Sequence, residues 1–155
     1  MDDRLFRDAM GKFATGITVL LTENDGVPHG MTANGFMSVS LDPKLVVISI
    51  GHKAKFLEKV KQSKKFSVNI LSEDQEHYSR HFAGQLGEDV QFAQLRGLPV
   101  LKDTIAQIAC EVVSEHVEGD HTLFIGKIID LHLEDKNPLL FFGGKYRQLA
   151  ELAIV

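Results

Sequence analysis

The sequence predicts a mainly β chain with short helices, an antiparallel, barrel-like sheet in a single domain over residues 1–155. Three observations point there. About six or seven segments alternate apolar with polar residues or run in β-branched stretches, mostly joined by tight turns. Only two or three short segments carry helical periodicity, and the regular strand–helix alternation of a parallel nucleotide-binding sheet is missing. No repeat, linker or low-complexity tract marks a second domain, and 155 residues with 44% hydrophobic content suffice for one core.

Residues 3–13 space Leu5, Phe6, Ala9, Met10 and Phe13 as an amphipathic helical stripe, with Asp2 and Asp3 at its positive end. Ile17 to Leu21 reads as a strand, Asn24-Asp25-Gly26 as a tight turn, and Val27 onward as the returning strand of a hairpin. Lys44 to Ile50 is nearly continuous in apolar β-branched residues, the pattern of a strand buried on both faces. It feeds into a helix that groups Phe56, Leu57 and Val60 on one side and lysines on the other. Phe66 to Leu71 alternates again, and Ser72 with Gln75 suggests a capping box opening the next helix. The glycine-rich stretch that follows, up to Asp103, has no sustained period and reads as a surface excursion. Two long alternating segments from Ile105, parted by Glu118-Gly119-Asp120, form the clearest hairpin. Asp135 to Pro138 then turns the chain into a short strand with a glycine pair.

Composition excludes several classes of function. The net charge of −4, with both signs interspersed, provides no cationic face for a phosphate backbone. No apolar run reaches the ~20 residues of a membrane span, and the acidic N-terminus does not resemble a signal peptide, so a cytoplasmic location is expected. Cys110 is the single cysteine, which rules out an internal disulfide. The G-x-G-x-x-G fingerprint, the P-loop and G-x-S-x-G are all missing; Gly143-Gly144-Lys145 is followed by Tyr146 where a P-loop needs Ser or Thr. His77 and His81 have a spacing suited to a shared metal, but no glutamate follows His77, and no metal site is assigned.

Three places combine unusual composition with a chemical reason for it. In GMTANGFMSVSLDP, Thr32, Ala33, Asn34, Gly35, Ser38 and Ser40 offer backbone N–H groups and short polar side chains to a flat heteroaromatic ligand; an exposed edge strand has the same composition. In SIGHKAK, Gly51 brings a strand to the start of a helix beside Lys53 and Lys55, a setting for phosphate that a lysine-rich outer face also explains. His121, after Gly119-Asp120, stands at the mouth of a hairpin, where it is either a ligand contact or a polar turn residue. HFAG, with Phe82, Ala83 and Gly84, suits a chain passing closely over a ligand.

In their order along the chain, FATGITVL, HGMTANGFMSVSLDPKLVVISI, NIL, HFAG, GLPVL, GDHTLFIGKI and PLLFFGGKY resemble the short-chain flavin reductase family. These are the reductase components of two-component aromatic monooxygenases, and the likeness is to those serving phenol and 4-hydroxyphenylacetate hydroxylases. It covers nearly the whole chain. It implies an FMN-binding split β-barrel of Greek-key type, a homodimer with its flavin site near the subunit interface, and hydride transfer from NADH or NADPH to FAD or FMN. Reduced flavin then diffuses to a separate oxygenase in aromatic degradation. By the same resemblance Thr32, Ala33 and Asn34 line the isoalloxazine, and Ser38, Val39 and Ser40 approach the ribityl chain and phosphates. Ser49 and Gly51 lie at the ring side, Lys53 at the phosphate, and Phe82, Ala83 and Gly84 close over the flavin. His121 and Tyr146 adjoin the nicotinamide, His121 as a positioning residue. Gly35 stands where relatives often carry alanine. A flavin-binding redox sensor or carrier without reductase turnover would share this barrel, as would an oxidase of the pyridoxamine-phosphate type, which needs a denser basic site.

Overall fold

The structure, a computed structural model, describes residues 1–150, so the last five positions of the expected 1–155 domain lie outside the described residues. The chain runs α1 (Asp3–Met10), β1 (Thr15–Gly16), β2 (Thr18–Asn24), β3 (Val27–Ala33), β4 (Phe36–Ser40), β5 (Leu45–Gly51), α2 (Phe56–Ser63), β6 (Lys65–Ile70) and α3 (Glu76–Phe82). It continues through β7 (Phe92–Leu95), β8 (Leu98–Leu101), β9 (Ala106–Glu118), β10 (His121–Leu133), β11 (Leu140–Phe142) and β12 (Lys145–Arg147).

Seven strands form one sheet in the order β3-β2-β6-β9-β10-β5-β4, every neighbouring pair antiparallel. β3 and β4 therefore point the same way and sit at opposite ends of the sheet, although only Asn34 and Gly35 join them. In a flat sheet these two ends would lie about 29 Å apart at ~4.8 Å per strand. A two-residue link spans at most about 11 Å. The sheet must curl until its ends meet, and β3 and β4 become two halves of one interrupted strand, the first paired to β2 and the second to β5. The non-sequential pairs β2–β6 and β5–β10 make this a Greek-key split barrel. Register shifts in β9–β10, between Ile125 and Gly126 and between Ile128 and Asp130, supply the bending that long strands need to coil.

The barrel interior packs Leu20, Ile48, Ile50, Phe66, Val68, Ile108 and Phe124, and α2 inserts Phe56, Leu57 and Val60 into the same cluster. Gly126 has no room for a side chain there: a Cβ would lie 2.6 Å from the Phe66 ring. A second cluster on the outer face of β2 gathers Ile17, Val19, Leu21, Leu71, Leu101 and Leu139, with Tyr78, Phe82 and Phe92 against it.

Several expectations are corrected by these packings. The strand from Lys44 to Ile50 is not buried on both faces: Val46, Ile48 and Ile50 face the core, while Leu45, Val47 and Ser49 are only partly covered. Strands buried on both faces are β2 and β6, together with the short β8 described next. The excursion before Asp103 contains a hairpin, β7–β8, closed by Arg96 and Gly97, both with positive φ, and all of β8 is buried. Its strands are too short for a period to register, and Pro99 disguises the second. Arg147 and Leu140 likewise pair across Gly143-Gly144, so the C-terminal segment is a hairpin and not one strand. Residues 52–55 separate Gly51 from α2, which starts only at Phe56. The capping box forms by half: Ser72 N–H donates to the Gln75 side chain, but the Ser72 hydroxyl turns to Asp74. Finally, α1 buries none of its stripe.

β8 is tied down by polar residues that alternation alone would place in solvent. The Asn69 amide donates to Val19 C=O at 3.0 Å and to Ser67 Oγ at 3.1 Å, and its oxygen accepts Leu101 N–H at 2.9 Å. Ser67 Oγ donates to Pro99 C=O at 2.7 Å. Each is fully buried. We expect Asn69→Ala to lower the unfolding free energy by about 2–4 kcal/mol in urea titrations, since it strands buried backbone groups on two strands. A loss under about 1 kcal/mol would mean that the hairpin is held by apolar packing alone.

Candidate functional site

The site follows from where the curled sheet fails to close. Asn24 and Val27 close a two-residue turn, and the antiparallel alternation counted from them leaves the backbone groups of Gly30 and Thr32 on the side of β3 away from β2. On the other flank Ser49 N–H donates to Gly35 C=O at 2.9 Å. Two residues further along β5, Gly51 N–H points the same way, toward β3. Yet β3 and β5 do not pair among the described residues, and the barrel is split there. Thr32 and Gly51 thus direct N–H groups without a partner among the described residues into one gap from its two sides.

Small residues keep that gap open. A Cβ on Gly35 would come within 3.3 Å of Ser49, so the link lies tightly against β5. Gly51 lies under the His121 ring, whose Nε2 is 3.6 Å from where a Cβ would be. His121 is paired with Gly51 across β10–β5, which delivers it to the gap. Its Nδ1 is 2.8 Å from Asp120 Oδ1, and this hydrogen bond holds the Asp120 carboxyl below the usual carboxylate range. With Nδ1–H donating to that carboxylate, Nε2 of the neutral ring is an acceptor. His52 Nε2, 3.0 Å from Thr122 Oγ1, stiffens the adjoining turn.

Behind Thr32 a cleft of about 240 Å³ is lined by Ile17, Thr32, Ala33, Asn34, Ala83 and Tyr146, among others. Ser79, on α3 and only 1% exposed, ties its walls together. Thr32 Oγ1 donates to Ser79 C=O at 2.6 Å, and the Ser79 hydroxyl meets Tyr146 Oη at 2.8 Å. Arg80 lies 4.9 Å over the Tyr146 ring. Asn34 and Phe141 also border a larger cleft of about 600 Å³ under α1, with Phe6, Met10 and Gly143.

The structure therefore brings Thr32, Ala33, Asn34, Ser49, Gly51 and His121 to one gap, with Ala83 and Tyr146 behind it. Ser38, Val39 and Ser40 continue along the exposed edge strand β4, with a bulge at Val39. Lys53 sits in the exposed turn after Gly51. Phe82 packs over Gly30, where a Cβ would lie 2.8 Å from its ring, and Gly84 borders a different cleft. Ser79 escaped sequence reasoning, since a helical serine carries no local signal of such partners, whereas Asp120 stands beside His121 in the sequence and bonds to it in the fold. Cys110 is no nucleophile, since burial pushes its thiol up to about 12. No group of three or more potential metal ligands occurs among the described residues.

This arrangement presents fixed backbone donors of the kind that suit the edge of a flat ring, with an acceptor at His121 beside them. Among the described residues it contains no nucleophile with an adjacent base.

A family model described as "Flavin reductase like domain" matches residues 10–150. An NADH-dependent flavin reductase from a Rhodococcus species is 44% identical over 92% of this chain and 84% of its own. The reductase component of 4-hydroxyphenylacetate 3-monooxygenase from Thermus thermophilus is 34% identical, over 93% of this chain and 95% of its own. Among solved structures, the flavin reductase PheA2 in its native state superposes with a TM-score of 0.95 at 65% identity, covering 97% of this chain and all of that one.

The Ser79–Tyr146 bond generates a direct test. We expect Ser79→Ala and Tyr146→Phe each to cost about 1 kcal/mol in urea unfolding, and the double variant no more than either alone. Additive losses would show that the two hydroxyls do not share a bond.

Proposed function

This chain belongs to the flavin reductase like domain family, and we propose that the gap between β3 and β5 is where it transfers hydride from NADH to a flavin. The chain is an NADH-dependent flavin oxidoreductase, the reductase component of a two-component monooxygenase, and it uses FAD or FMN. The observation that carries the site is the pair of unpaired N–H groups, Thr32 and Gly51, directed into one gap under His121.

An isoalloxazine carries ring nitrogens and carbonyl oxygens along its edge, so these fixed donors and the missing side chain at Gly51 suit it. When bound, the flavin supplies the hydride acceptor and the reduced nicotinamide the donor. The residues of the chain supply orientation and electrostatics. Backbone N–H groups at a carbonyl edge favour the negative charge that develops there on reduction. Thr32, Ala33, Asn34, Ser49 and Gly51 hold the ring in this reading, Ser38, Val39, Ser40 and Lys53 its chain and phosphate, and Phe82, Ala83 and Gly84 cover it. His121 Nε2 accepts a carboxamide N–H and so positions the nicotinamide, with Tyr146 close by. One domain over residues 1–155 performs the reaction, and its oxygenase partner receives reduced flavin by diffusion. We place this work in the cytoplasm, where NADH is regenerated; no helix among the described residues is long and apolar enough to cross a membrane.

The functional unit we propose is a homodimer. Leu5, Phe6, Met10 and Phe13 around α1, with Met37, Val39 and Leu41 around β4, are all exposed. Seven exposed large apolar side chains on two elements are more than scattered surface residues ordinarily account for. A second copy covering it would roof the larger cleft beside Asn34. Sedimentation should give twice the chain mass, and Phe6→Asp with Met10→Asp should give the monomer; a monomeric wild type would refute the dimer.

Anaerobic NADH oxidation should rise and saturate as FAD or FMN is titrated in, because reduced flavin leaves as a product. Flavin binding without such turnover would instead indicate a sensor or carrier. His121→Ala should raise the Michaelis constant for NADH about tenfold, the scale of one hydrogen bond, and lower turnover only moderately. Complete loss of turnover with flavin still bound would contradict a positioning role.

A further inference from the structure

Two hydroxyls line the ring cleft behind Thr32, and one buried residue decides where the proton of each points. The Ser79 carbonyl accepts Thr32 Oγ1–H at 2.6 Å, and the Ser79 hydroxyl lies 2.8 Å from Tyr146 Oη. Thr32 and Tyr146 belong to different walls, β3 of the seven-stranded sheet and β12 of the C-terminal hairpin. Ser79, on α3, bonds to both and is only 1% exposed.

Following each proton gives the polarity of the cleft. Thr32 spends its only hydroxyl proton on the Ser79 carbonyl, so it offers the cleft the lone pairs of Oγ1. In the Ser79–Tyr146 pair either oxygen could donate by geometry, and burial decides between them. The Ser79 hydroxyl has no other acceptor among the described residues; the remaining bonds of Ser79 run through its backbone, its N–H to Gln75 C=O at 3.3 Å and Ala83 N–H to its C=O at 3.2 Å. Were Tyr146 the donor, a buried Ser79 proton would be left without an acceptor, at the full desolvation cost of an unmade bond. Ser79 therefore donates and Tyr146 Oη accepts, which leaves the phenolic proton to the cleft that Tyr146 lines. The rest of the tyrosine is held in place. Arg80, itself bonded to Glu76 at 3.0 Å, lies 4.9 Å over its ring, and Phe141 meets it edge-on at 5.5 Å. Only the O–H torsion remains, and Ser79 sets it.

We propose that Ser79 is a positioning residue that fixes the hydrogen-bond polarity of this cleft, with a donor at Tyr146 and an acceptor at Thr32. A donor and an acceptor held by one residue match a group that carries C=O next to N–H, an amide or imide edge. At about 240 Å³ the cleft is smaller than the pockets that enclose whole ligands, so it takes an edge of a ring system and not the entire molecule. The proposal rests on reading the gap at Thr32 and Gly51 as the flavin and nicotinamide site. Both rings carry such an edge, the imide of the isoalloxazine and the carboxamide of the nicotinamide, and experiment separates them. Without the Ser79 hydroxyl the phenolic proton loses its fixed direction, and the ligand must restrain it on binding.

The test uses the full chain with Ser79→Ala, Tyr146→Phe and the double variant; thermal midpoints within about 5 °C of wild type establish that each folds. FMN affinity is read by flavin fluorescence, NAD+ affinity by calorimetry with FMN present, and kcat and KM for NADH at saturating FMN. Ser79→Ala should weaken one of the two ligands about fivefold, the scale of one neutral hydrogen bond, with kcat within about twofold of wild type. Tyr146→Phe should lose as much for the same ligand, and the double variant no more than Tyr146→Phe alone, because Ser79 acts only through that hydroxyl. A loss confined to FMN assigns the edge to the flavin imide. A raised KM for NADH and weaker NAD+, with FMN unchanged, assigns it to the carboxamide. A serine with a purely structural role would lower both affinities and kcat together, and that result would overturn the proposal. So would Ser79→Ala holding both ligands within about twofold of wild type, or additive losses in the double variant. Should wild type reduce neither FAD nor FMN, it is the hydride-transfer reading that fails, and the FMN and NAD+ titrations of the three variants still decide the role of Ser79.

Discussion

Two residues, Asn34 and Gly35, join the opposite ends of a seven-stranded sheet, and most of the molecule's architecture answers to that short link. A strand that must pair with β2 in its first half and β5 in its second forces the sheet to coil. The same strand cannot pair with both along its whole length. Closure is therefore incomplete by construction, and the unpaired N–H groups that incomplete closure leaves are at the gap and not on a distant edge. Free strand edges are ordinarily a liability that folds cover or charge. Here the free edge is short and turned toward a cleft, which leaves a row of donors facing the place proposed for the flavin ring.

Such a surface is useful only if it is rigid, since hydride transfer depends on the distance and facing of two rings and asks little of side-chain chemistry. The rigidity has identifiable sources. β2 and β6 are buried on both faces, and the Ser67–Asn69 network fastens β8 across them. α3 is anchored at its start by Gln75, which donates to Lys102 C=O, and at its middle by Ser79, which holds Thr32 and Tyr146 at once. The wall of the ring cleft is thus braced from the second core cluster, while its floor is braced from the barrel interior.

Charge is distributed with equal economy. The chain is acidic overall, yet the titratable side chains that line the cleft between α2, β3 and α3 are Lys55, Lys59, His29 and His81, and the Asp120 carboxylate beside the gap is engaged by His121. Anionic ligands would meet a local field opposite to that of the whole protein, which favours entry at this one place.

The mainly β class, the single core, the hairpins at Asp25-Gly26 and Gly119-Asp120 and the apolar face of α2 were all legible in the sequence, because each depends on local periodicity or on residues within one turn. The order of motifs also carried the family, and the short polar segment around Thr32 and Asn34 was visible as unusual. Burial of β6 on both faces was not legible: Ser67 and Asn69 look like solvent-facing residues until β8 lies over them. The β7–β8 hairpin was hidden by its shortness, and the lysine-rich side of α2 looked like any solvated face until β3 and α3 were set against it. Nor did the local pattern show that Thr32 and Gly51 face one another, or that Ser79 holds both Thr32 and Tyr146. Sequence periodicity reports which way a side chain points relative to its own backbone; what stands opposite is decided only when the sheet coils and distant strands arrive.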